Sequence, residues 1–368
     1  MSRRFAVLTT AAALLAAAAA RAQIRIDSDE PLPLKEGVPA EVVGALIKEL
    51  KEGYVFPEAA EKMAEAVGAK LKAGDYDGLA TGQELARRLT ADLQEISKDR
   101  HLRVRCSTEP LPERLGGKEP TPEMVKRMQR QARWRNAGFV KVERLPGNVG
   151  YLELRGFMDP EAGGEPLAAA MNFLANTDAL IIDLRRNGGG TPLMVRLVCS
   201  YLFDEKPVHL NSLYFRKDDR TEEFWTLKEV PGKRYLGKDV YVLTSRLTFS
   251  GAEECAYNLK CLKRATIVGE TTGGGAHPGG AVRLTDHFLA FIPTGRAINP
   301  ITKTNWEGTG VEPDVKVDAD AALEKAHELA LAKLRAAAKG EAKEWLEMDV
   351  EMEKRLEERY RERNKAKE

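Results

Sequence analysis

The sequence is poor in the residues that mark a metal protein, a disulfide scaffold or a nucleic-acid-binding protein. Its 368 residues include 4 cysteines and 5 histidines. The spacing of Cys106, Cys199, Cys255 and Cys261 fits no metal-binding pattern, and we interpret them as buried free thiols. Lysine and arginine number 57 against 56 aspartates and glutamates, a net charge of +1. The lack of a basic excess argues against a nucleic-acid partner, and we predict no cofactor and no metal.

A second long apolar run is also missing. The first covers residues 5–20, follows Arg3 and Arg4, and leads into Ala20-Arg21-Ala22. A short positive region, an apolar run and an A-x-A-like cleavage site are the parts of a secretory signal peptide, and this run is short for a membrane span. An uncleaved anchor is the alternative. We therefore predict a signal peptide at 1–22 and an exported protein, periplasmic or extracellular, with no stable membrane span after signal removal.

Hydrophobic periodicity divides the rest of the chain into helical ends and an α/β centre. Residues 37–106 predict three helices, the third beginning at a capping box of Thr81 and Glu84. Residues 107–138 predict a connector with one surface helix, and residues 23–36 an exposed lead-in. From 139 to 317 short β-rich runs alternate with helical segments, which predicts a β/α core with a central, largely parallel sheet. Residues 318–368 predict a charged helical C-terminal extension.

One segment of the core carries a triple-glycine turn, Gly188-Gly189-Gly190, between a buried strand and a helix. Glycines let backbone N–H groups face a ligand, so the turn could form an oxyanion hole or a phosphate cradle. The phosphate alternative needs a lysine followed by serine or threonine, which Thr191-Pro192 does not supply. A plain strand-to-helix turn is the remaining alternative.

A second segment places Ser250 at the start of a predicted helix, after a strand that ends at Thr244. A serine in this position can act as a nucleophile, because the helix dipole and the N–H of Gly251 can stabilise a developing oxyanion. Ser250 and Glu253 also match a capping box, so a purely structural role is the alternative.

The remaining candidates are a loop acid and two histidines. Residues 305–314 form a polar, glycine-rich loop in which Glu307 could orient a histidine or belong to a surface turn. His101 directly follows the third predicted helix. His277 lies among glycines, a setting that suits a lid or a substrate contact better than a rigid base.

The order of these segments resembles the tricorn-core and interphotoreceptor retinoid-binding-protein branch of the C-terminal-processing serine peptidase family, S41. The resemblance runs from about Pro39 to Val317. It rests on six motifs in family order: D-x-H at 99–101, LPGNVGYL at 145–152, D-x-R-x-N-G-G-G at 183–190, T-S-x-x-T-F-S-G-A-E at 244–253, V-G-E-x-T-x-G-G at 268–275 and E-G-x-G-V-x-P-D at 307–314.

The resemblance implies the roles of the candidate residues. It implies a nucleophile, a general base and an acid that orients the base, which are Ser250, His101 and Glu307. It implies an oxyanion hole from backbone N–H groups, for which the candidates are Gly251, Gly188 and Gly189. We predict substrate contacts at three further positions, namely Asn187, Gly190 and His277.

The chain departs from the family pattern in two places. The loop 271–275 has no lysine, so we reject the Ser–Lys dyad of the processing-protease branch. Arg100 stands where tricorn-like enzymes place a serine before the histidine. No segment resembles the family's PDZ domain, so no PDZ-held substrate tail is expected.

Taken with the signal peptide, these features predict an exported serine peptidase that cleaves peptides or unfolded proteins through an acyl-enzyme. The alternatives are a catalytically weak binding protein for retinoid-like or other apolar ligands, and a non-peptidase acyl hydrolase. We favour His101 over His277 as the base, because its helix packs firmly and Arg100 and Arg103 would lower its pKa. Substrate sequence and oligomeric state stay open.

Overall fold

The computed structural model describes residues 30–112 and 122–365, so the predicted signal peptide lies outside the described residues. The described chain begins with three mutually packed helices: α1 (Val38–Gly53), α2 (Pro57–Lys72) and α3 (Gly82–Ser97). Their apolar residues recur every third or fourth position and meet in one core. This confirms the predicted N-terminal helical unit. Leu32 and Leu34 of the preceding segment are half-buried against it, so that segment is less exposed than expected.

The start of α3 is held by the predicted capping box. The Glu84 N–H donates to Thr81 Oγ1 at 3.2 Å, and the Glu84 carboxylate accepts the Thr81 N–H at 3.3 Å. Both bonds satisfy N–H groups that a helix start leaves unpaired. The cap fixes the helix that leads directly to His101.

The rest of the described chain alternates strands and helices. The strands are β1 (Arg103–Cys106), β2 (Phe139–Leu145), β3 (Val149–Leu154), β4 (Ala179–Asp183), β5 (His209–Phe215), β6 (Arg220–Trp225), β7 (Asp239–Thr244), β8 (Thr266–Gly269), β9 (Gly279–Arg283), β10 (Phe288–Pro293), β11 (Gly295–Ile298) and β12 (Val315–Lys316). The further helices are α4 (Pro122–Trp134), α5 (Pro160–Leu174), α6 (Pro192–Ser200), α7 (Gly251–Cys261), α8 (Ala322–Ala337) and α9 (Glu341–Lys365).

A six-stranded sheet forms the centre, in the order β12-β8-β7-β4-β3-β2. The strands from β3 to β12 run parallel to their neighbours, and only β2 is antiparallel to β3. Parallel neighbours need long crossovers, which the intervening helices supply. This confirms the predicted α/β core with a largely parallel sheet.

Helices cover both faces of the central sheet, because successive side chains of a strand point to opposite sides. In β4, Leu180 and Ile182 join the core that α5, α6 and α7 share. Ala179 and Ile181 of the same strand pack on the other side with α8. The carboxyl ends of β4 and β7 therefore lie side by side, and each leads into a helix on the same face.

Two small antiparallel sheets, in the orders β1-β10-β9 and β11-β5-β6, flank the central one. Residues 281–293 predict two strands joined by a polar turn, which correspond to β9 and β10, whereas no strand was predicted at β1, β6 or β11. β1 pairs with β10, so it joins the N-terminal helices to the core. That pairing carries His101, which lies just before β1, toward the end of the sheet where β7 meets α7.

The C-terminal extension is helical, as predicted, and α9 is attached to the core. Asp349 accepts the Gly147 N–H at 2.7 Å and forms an ion pair with Arg144 at 2.8 Å. In the described part of the chain, no helix is both long and apolar enough to cross a membrane. Among the described residues, the four cysteines form no disulfide bond, and the Sγ atoms of Cys199 and Cys255 are 4.0 Å apart.

Candidate active site

Ser250 occupies a strained corner between β7 and α7. Its φ of 54° and ψ of −123° lie in a region that non-glycine residues rarely adopt, and such outliers cluster at functional sites. The side chain is half-buried, so it stays accessible. The Ser250 N–H donates to the Glu253 carboxylate at 2.8 Å, which holds the corner in place. A sharp strand-to-helix turn of this kind presents a serine hydroxyl for attack.

The triple-glycine turn packs directly against this corner. A Cβ atom built on Gly189 would lie 2.8 Å from both Ser250 Cβ and Gly251 N, so only glycine fits there. Gly190 also lies close to this corner, since a Cβ atom built on Gly251 would be 3.1 Å from the Gly190 N atom. The turn predicted to form part of an oxyanion hole thus touches the predicted nucleophile.

Asn187 holds the turn together from inside. Its amide donates to the Leu154 carbonyl and accepts the Gly189 N–H, both at 2.9 Å, and the side chain is fully buried. The Gly189 N–H therefore already has an acceptor within the protein. The Asn187 side chain, which we predicted to contact substrate, uses its amide for these two hydrogen bonds instead. Within the described residues, the N–H groups of Gly190 and Gly251 donate to no protein acceptor. Both glycines line a small cavity of about 30 Å³ together with Ser250.

His101 lies beside this corner in an apolar setting. Its ring contacts Phe249 with ring centroids 4.6 Å apart and stacks on Phe291 at 5.7 Å. The Asp99 carboxylate accepts the His101 backbone N–H at 3.0 Å. Burial lowers the pKa of His101 to about 4; Asp99 opposes this shift, and Arg103 adds slightly to it. The ring is therefore neutral at pH 7, as a general base must be.

The carboxylate of Glu307 reaches the His101 segment through the main chain rather than through the ring. It accepts the Arg100 N–H at 3.4 Å and the Ala276 N–H at 2.5 Å. His101 Nδ1 is buried without a hydrogen-bond partner, so the predicted contact between Glu307 and the imidazole is not made in this structure. Within the described residues, Arg100, which stands where the resemblance led us to expect a serine, contacts Glu307 only through its backbone N–H.

The second histidine pairs with the acids instead. His277 Nδ1 is 2.7 Å from Asp99 and 3.5 Å from Glu307, and it is 5% exposed. Tyr54 donates its hydroxyl to the same Asp99 oxygen at 3.1 Å. Burial, and next the charge of Asp99, raise the pKa of Glu307 to about 7, while His277 opposes the shift. Sequence reasoning missed the role of Asp99, although it belongs to the D-x-H motif.

Among the described residues, Asp99, His277 and Glu307 form the one group of ligand-type side chains close enough to share a metal ion, with atoms within 4.8 Å of one another. Their oxygens already accept hydrogen bonds from Tyr54 and from backbone N–H groups. The arrangement has the form of a hydrogen-bonded network that ties the segments of both histidines together.

Glu253 connects the corner at Ser250 to the loop that contacts His101. Its buried carboxylate accepts hydrogen bonds from the Thr272 hydroxyl at 2.5 Å and from the N–H groups of Gly274 at 2.6 Å and Gly275 at 2.8 Å. Burial raises its pKa, and these bonds oppose the shift. A Cβ on Gly275 would lie 2.6 Å from His101 Cε1, so the loop that Glu253 holds touches the imidazole.

Comparison with known proteins agrees with the motifs. Residues 148–317 match the model of peptidase family S41, and residues 30–137 match the model of the N-terminal domain of peptidase S41 in eukaryotic IRBP. A putative peptidase from Parabacteroides merdae ATCC 43184 has a similar fold, with a TM-score of 0.58, 20% identity, and coverage of 82% of this chain and 99% of that one.

Two further solved structures share the fold. A lipoprotein from Streptococcus agalactiae has a TM-score of 0.52 and 14% identity, covering 81% of this chain and 98% of its own. The tricorn protease has the same TM-score of 0.52 and 14% identity, covering 82% of this chain but 37% of its own. With both family models matched in order and the family fold present, the chain belongs to peptidase family S41 and is a serine peptidase.

Proposed function

We propose that the protein is an exported peptidase that cleaves peptide bonds through an acyl-enzyme on Ser250, with His101 as general base. The observation that carries the proposal is the setting of Ser250. It occupies a strained corner at the start of α7, between the N–H groups of Gly190 and Gly251 and beside the neutral ring of His101. A nucleophile, a base and two oxyanion donors are the parts that acyl transfer needs.

The proposed reaction follows from these positions. Ser250 Oγ attacks the carbonyl carbon of the substrate and passes its proton to His101. The carbonyl oxygen becomes negative and is held by the N–H groups of Gly251 and Gly190. The leaving amine takes the proton from His101, and water then releases the acyl group by the same route in reverse. Within the described residues no hydrogen bond joins Ser250 to His101, and catalytic bonds of this kind often tighten only when substrate binds.

The proposed roles of the neighbouring acids are positional. Glu307 holds the backbone at Arg100 and at Ala276, the residues that directly precede His101 and His277. Glu253 holds the loop against which the His101 ring rests. Of the three turn glycines, we assign the second oxyanion donor to Gly190, because the Gly189 N–H already donates to Asn187.

Two cavities of the described residues favour a peptidase over a binding protein for large apolar ligands. The space beside Ser250 measures about 30 Å³. A larger one, about 530 Å³, is lined by charged residues that include Arg246, Glu270 and Lys316. Pockets for drug-sized apolar ligands are usually lined by apolar side chains.

Hydrolysis assays test the proposal. The wild type is expected to cleave an unfolded protein such as casein, and Ser250→Ala to lose almost all of this activity. The thermal midpoint should change little, because a lost helix cap costs about 1 kcal/mol. Cleavage of esters but not of peptides would point to a non-peptidase acyl hydrolase. Full activity of Ser250→Ala would refute the proposed nucleophile.

Export is proposed from the sequence, and its test is separate. The A-x-A-like site at 20–22 places the first residue of the mature chain near Gln23. N-terminal sequencing of secreted or periplasmic material decides between cleavage there and an intact Met1 in a membrane fraction.

A further inference from the structure

The last helix, α9, carries an apolar stripe on the side that faces away from the core. Its inner side rests on the turn at Gly147 through Leu346 and Val350. The outer side bears five large apolar residues that are between 49% and 70% exposed, namely Trp345, Met348, Met352, Leu356 and Tyr360. Because they recur every third or fourth position, they lie on one face of the helix. An exposed apolar patch of several hundred Å² usually marks an interaction site.

The second half of α9 extends beyond the part that is tied to the core. The last tie is Asp349, which bonds to Arg144 and to the Gly147 N–H. The ion pair that follows it, between Arg355 and Glu351 at 2.9 Å, lies within α9 itself. An isolated helix of about 15 residues is only marginally stable in water. A second element packed along the stripe would therefore stabilise this half of α9.

Charge is distributed unevenly along α9. By sequence, residues 341–353 contain six acidic residues and one lysine, a net charge of −5. Residues 354–365 contain six basic and three acidic residues, a net charge of +3. Two such helices packed antiparallel bring the acidic half of each beside the basic half of the other, and their dipoles also oppose each other favourably. A parallel pair would bring like charges together, so α9 complements an inverted copy of itself.

The stripe suits a second copy of the chain better than a lipid surface. Helices that lie on membranes are rich in lysine and arginine on their polar face, whereas α9 contains nine acidic residues against seven basic ones. With about 200 Å² for a large apolar side chain, the exposed fractions leave roughly 600 Å² of stripe per chain. Two chains together therefore exceed the roughly 1,000 Å² that a specific interface needs.

We propose that α9 pairs antiparallel with α9 of a second copy, around a twofold axis near Met352, to form a homodimer. In this register Trp345 faces the partner's Arg359, since each lies seven residues from Met352, and a cation–π contact fits there. The two active sites stay open. The turn at Gly147 leads into the start of β3, whereas Ser250 follows the end of β7, and these strands run in the same direction. The paired helices thus lie at the end of the sheet opposite Ser250, and the proposal does not depend on the proposed function.

Sedimentation equilibrium of the purified protein measures the dissociation constant of the dimer. The wild type is expected to have twice the mass of a single chain at micromolar concentration and to dissociate on dilution. Trp345→Ser and Met352→Ser should each raise the dissociation constant about 10- to 30-fold, the effect of losing a central apolar contact. Their hydrolytic activity should match that of the wild type. The matched control Trp134→Ser removes a tryptophan of α4 that is 92% exposed and should leave the dissociation constant unchanged.

A pair of charge variants tests the orientation. One makes both halves of α9 negative, through Arg355→Glu, Arg359→Glu and Arg363→Glu. The other makes both halves positive, through Glu341→Lys, Glu344→Lys and Glu351→Lys. Each variant alone should dimerise more weakly than the wild type, and an equal mixture should form a mixed dimer. A parallel pair already brings like halves together, so wild-type affinity in both separate variants would overturn the antiparallel arrangement.

A wild type that stays monomeric at every concentration overturns the inference. A dimer that survives both stripe variants is held by another surface and also overturns it. Binding of a monomeric wild type to vesicles of phosphatidylserine and phosphatidylcholine, lost in Trp345→Ser, would make a lipid surface the occupant and overturn the inference as well. Should a stripe variant fail to fold, the charge variants decide. None of these results bears on Ser250, whose role is tested by hydrolysis.

Discussion

The loop glycine Gly275 offers a steric test of how His101 is positioned. A Cβ at this residue would lie 2.6 Å from His101 Cε1 and 2.3 Å from Phe249 Cζ. Carbon atoms in contact are usually about 3.5–4.0 Å apart. One or both rings must therefore move by about 1 Å to admit a methyl group. Gly275 is not among the glycines with positive φ, so alanine is compatible with its backbone and the effect is steric.

Gly275→Ala is expected to lose activity far beyond its loss of stability. Overpacking of this kind costs about 1–3 kcal/mol of stability. A catalytic group displaced by about 1 Å costs about 100-fold in rate. No side chain with a chemical function is removed, so kcat/KM and the fluorophosphonate labelling rate report the displacement of the His101 and Phe249 rings that border the site.

The matched control is Gly280→Ala in the same glycine-rich segment. A Cβ there meets no atom within 4 Å, so both activity and thermal midpoint should stay near wild-type values. Peptide hydrolysis, probe labelling and thermal unfolding are measured on both variants. If Gly275→Ala folds and keeps its labelling rate within about 2-fold of wild type, His101 is not the base that this loop positions.

Two further predictions separate the histidines and test the burial of His101. His101→Ala should lose nearly all turnover, and the double variant Ser250→Ala/His101→Ala should be little less active than either single variant. His277→Ala should mainly raise KM. If His277→Ala loses turnover and His101→Ala does not, the base lies in the glycine loop. Because the pKa of His101 is lowered to about 4, the unfolded chain binds a proton before the folded one, so stability falls as pH drops from about 6.5 to about 4. The loss amounts to about 3 kcal/mol. Urea midpoints of wild type and His101→Gln at pH 7 and pH 4.5 should show this fall only in the wild type, and equal falls in both would contradict it.

The layered fold was predictable because its signals are local. The helices of the N-terminal unit show apolar residues at helical spacing, and the Thr81 cap uses a residue only three positions away. The buried strands of the parallel sheet are short apolar runs such as β4. Strands β1 and β11 were missed, since each pairs with a strand that is far away in the sequence. Strand β6 was also missed, although it forms a local hairpin with β5 across residues 216–219.

The site was predictable only as a set of motifs. Ser250, the glycine turn and His101 are adjacent in space, but the resemblance gave no means to see which atoms meet. Asp99 and His277 are 178 positions apart, so the hydrogen bond between them could not be read from either segment. Glu253 matched a helix cap in the sequence, and its bonds to the loop at 272–275 depend on the folded chain.

The position of a covalent adduct tests the central claim most directly. Trypsin releases residues 247–260 as one peptide, in which Ser250 is the single serine. After reaction of the wild type with a fluorophosphonate, we expect the adduct on this peptide at Ser250. We expect no adduct in Ser250→Ala, with a thermal midpoint close to that of the wild type. An adduct that persists in Ser250→Ala, or that maps to another peptide of the wild type, would contradict the assignment of Ser250 as the nucleophile.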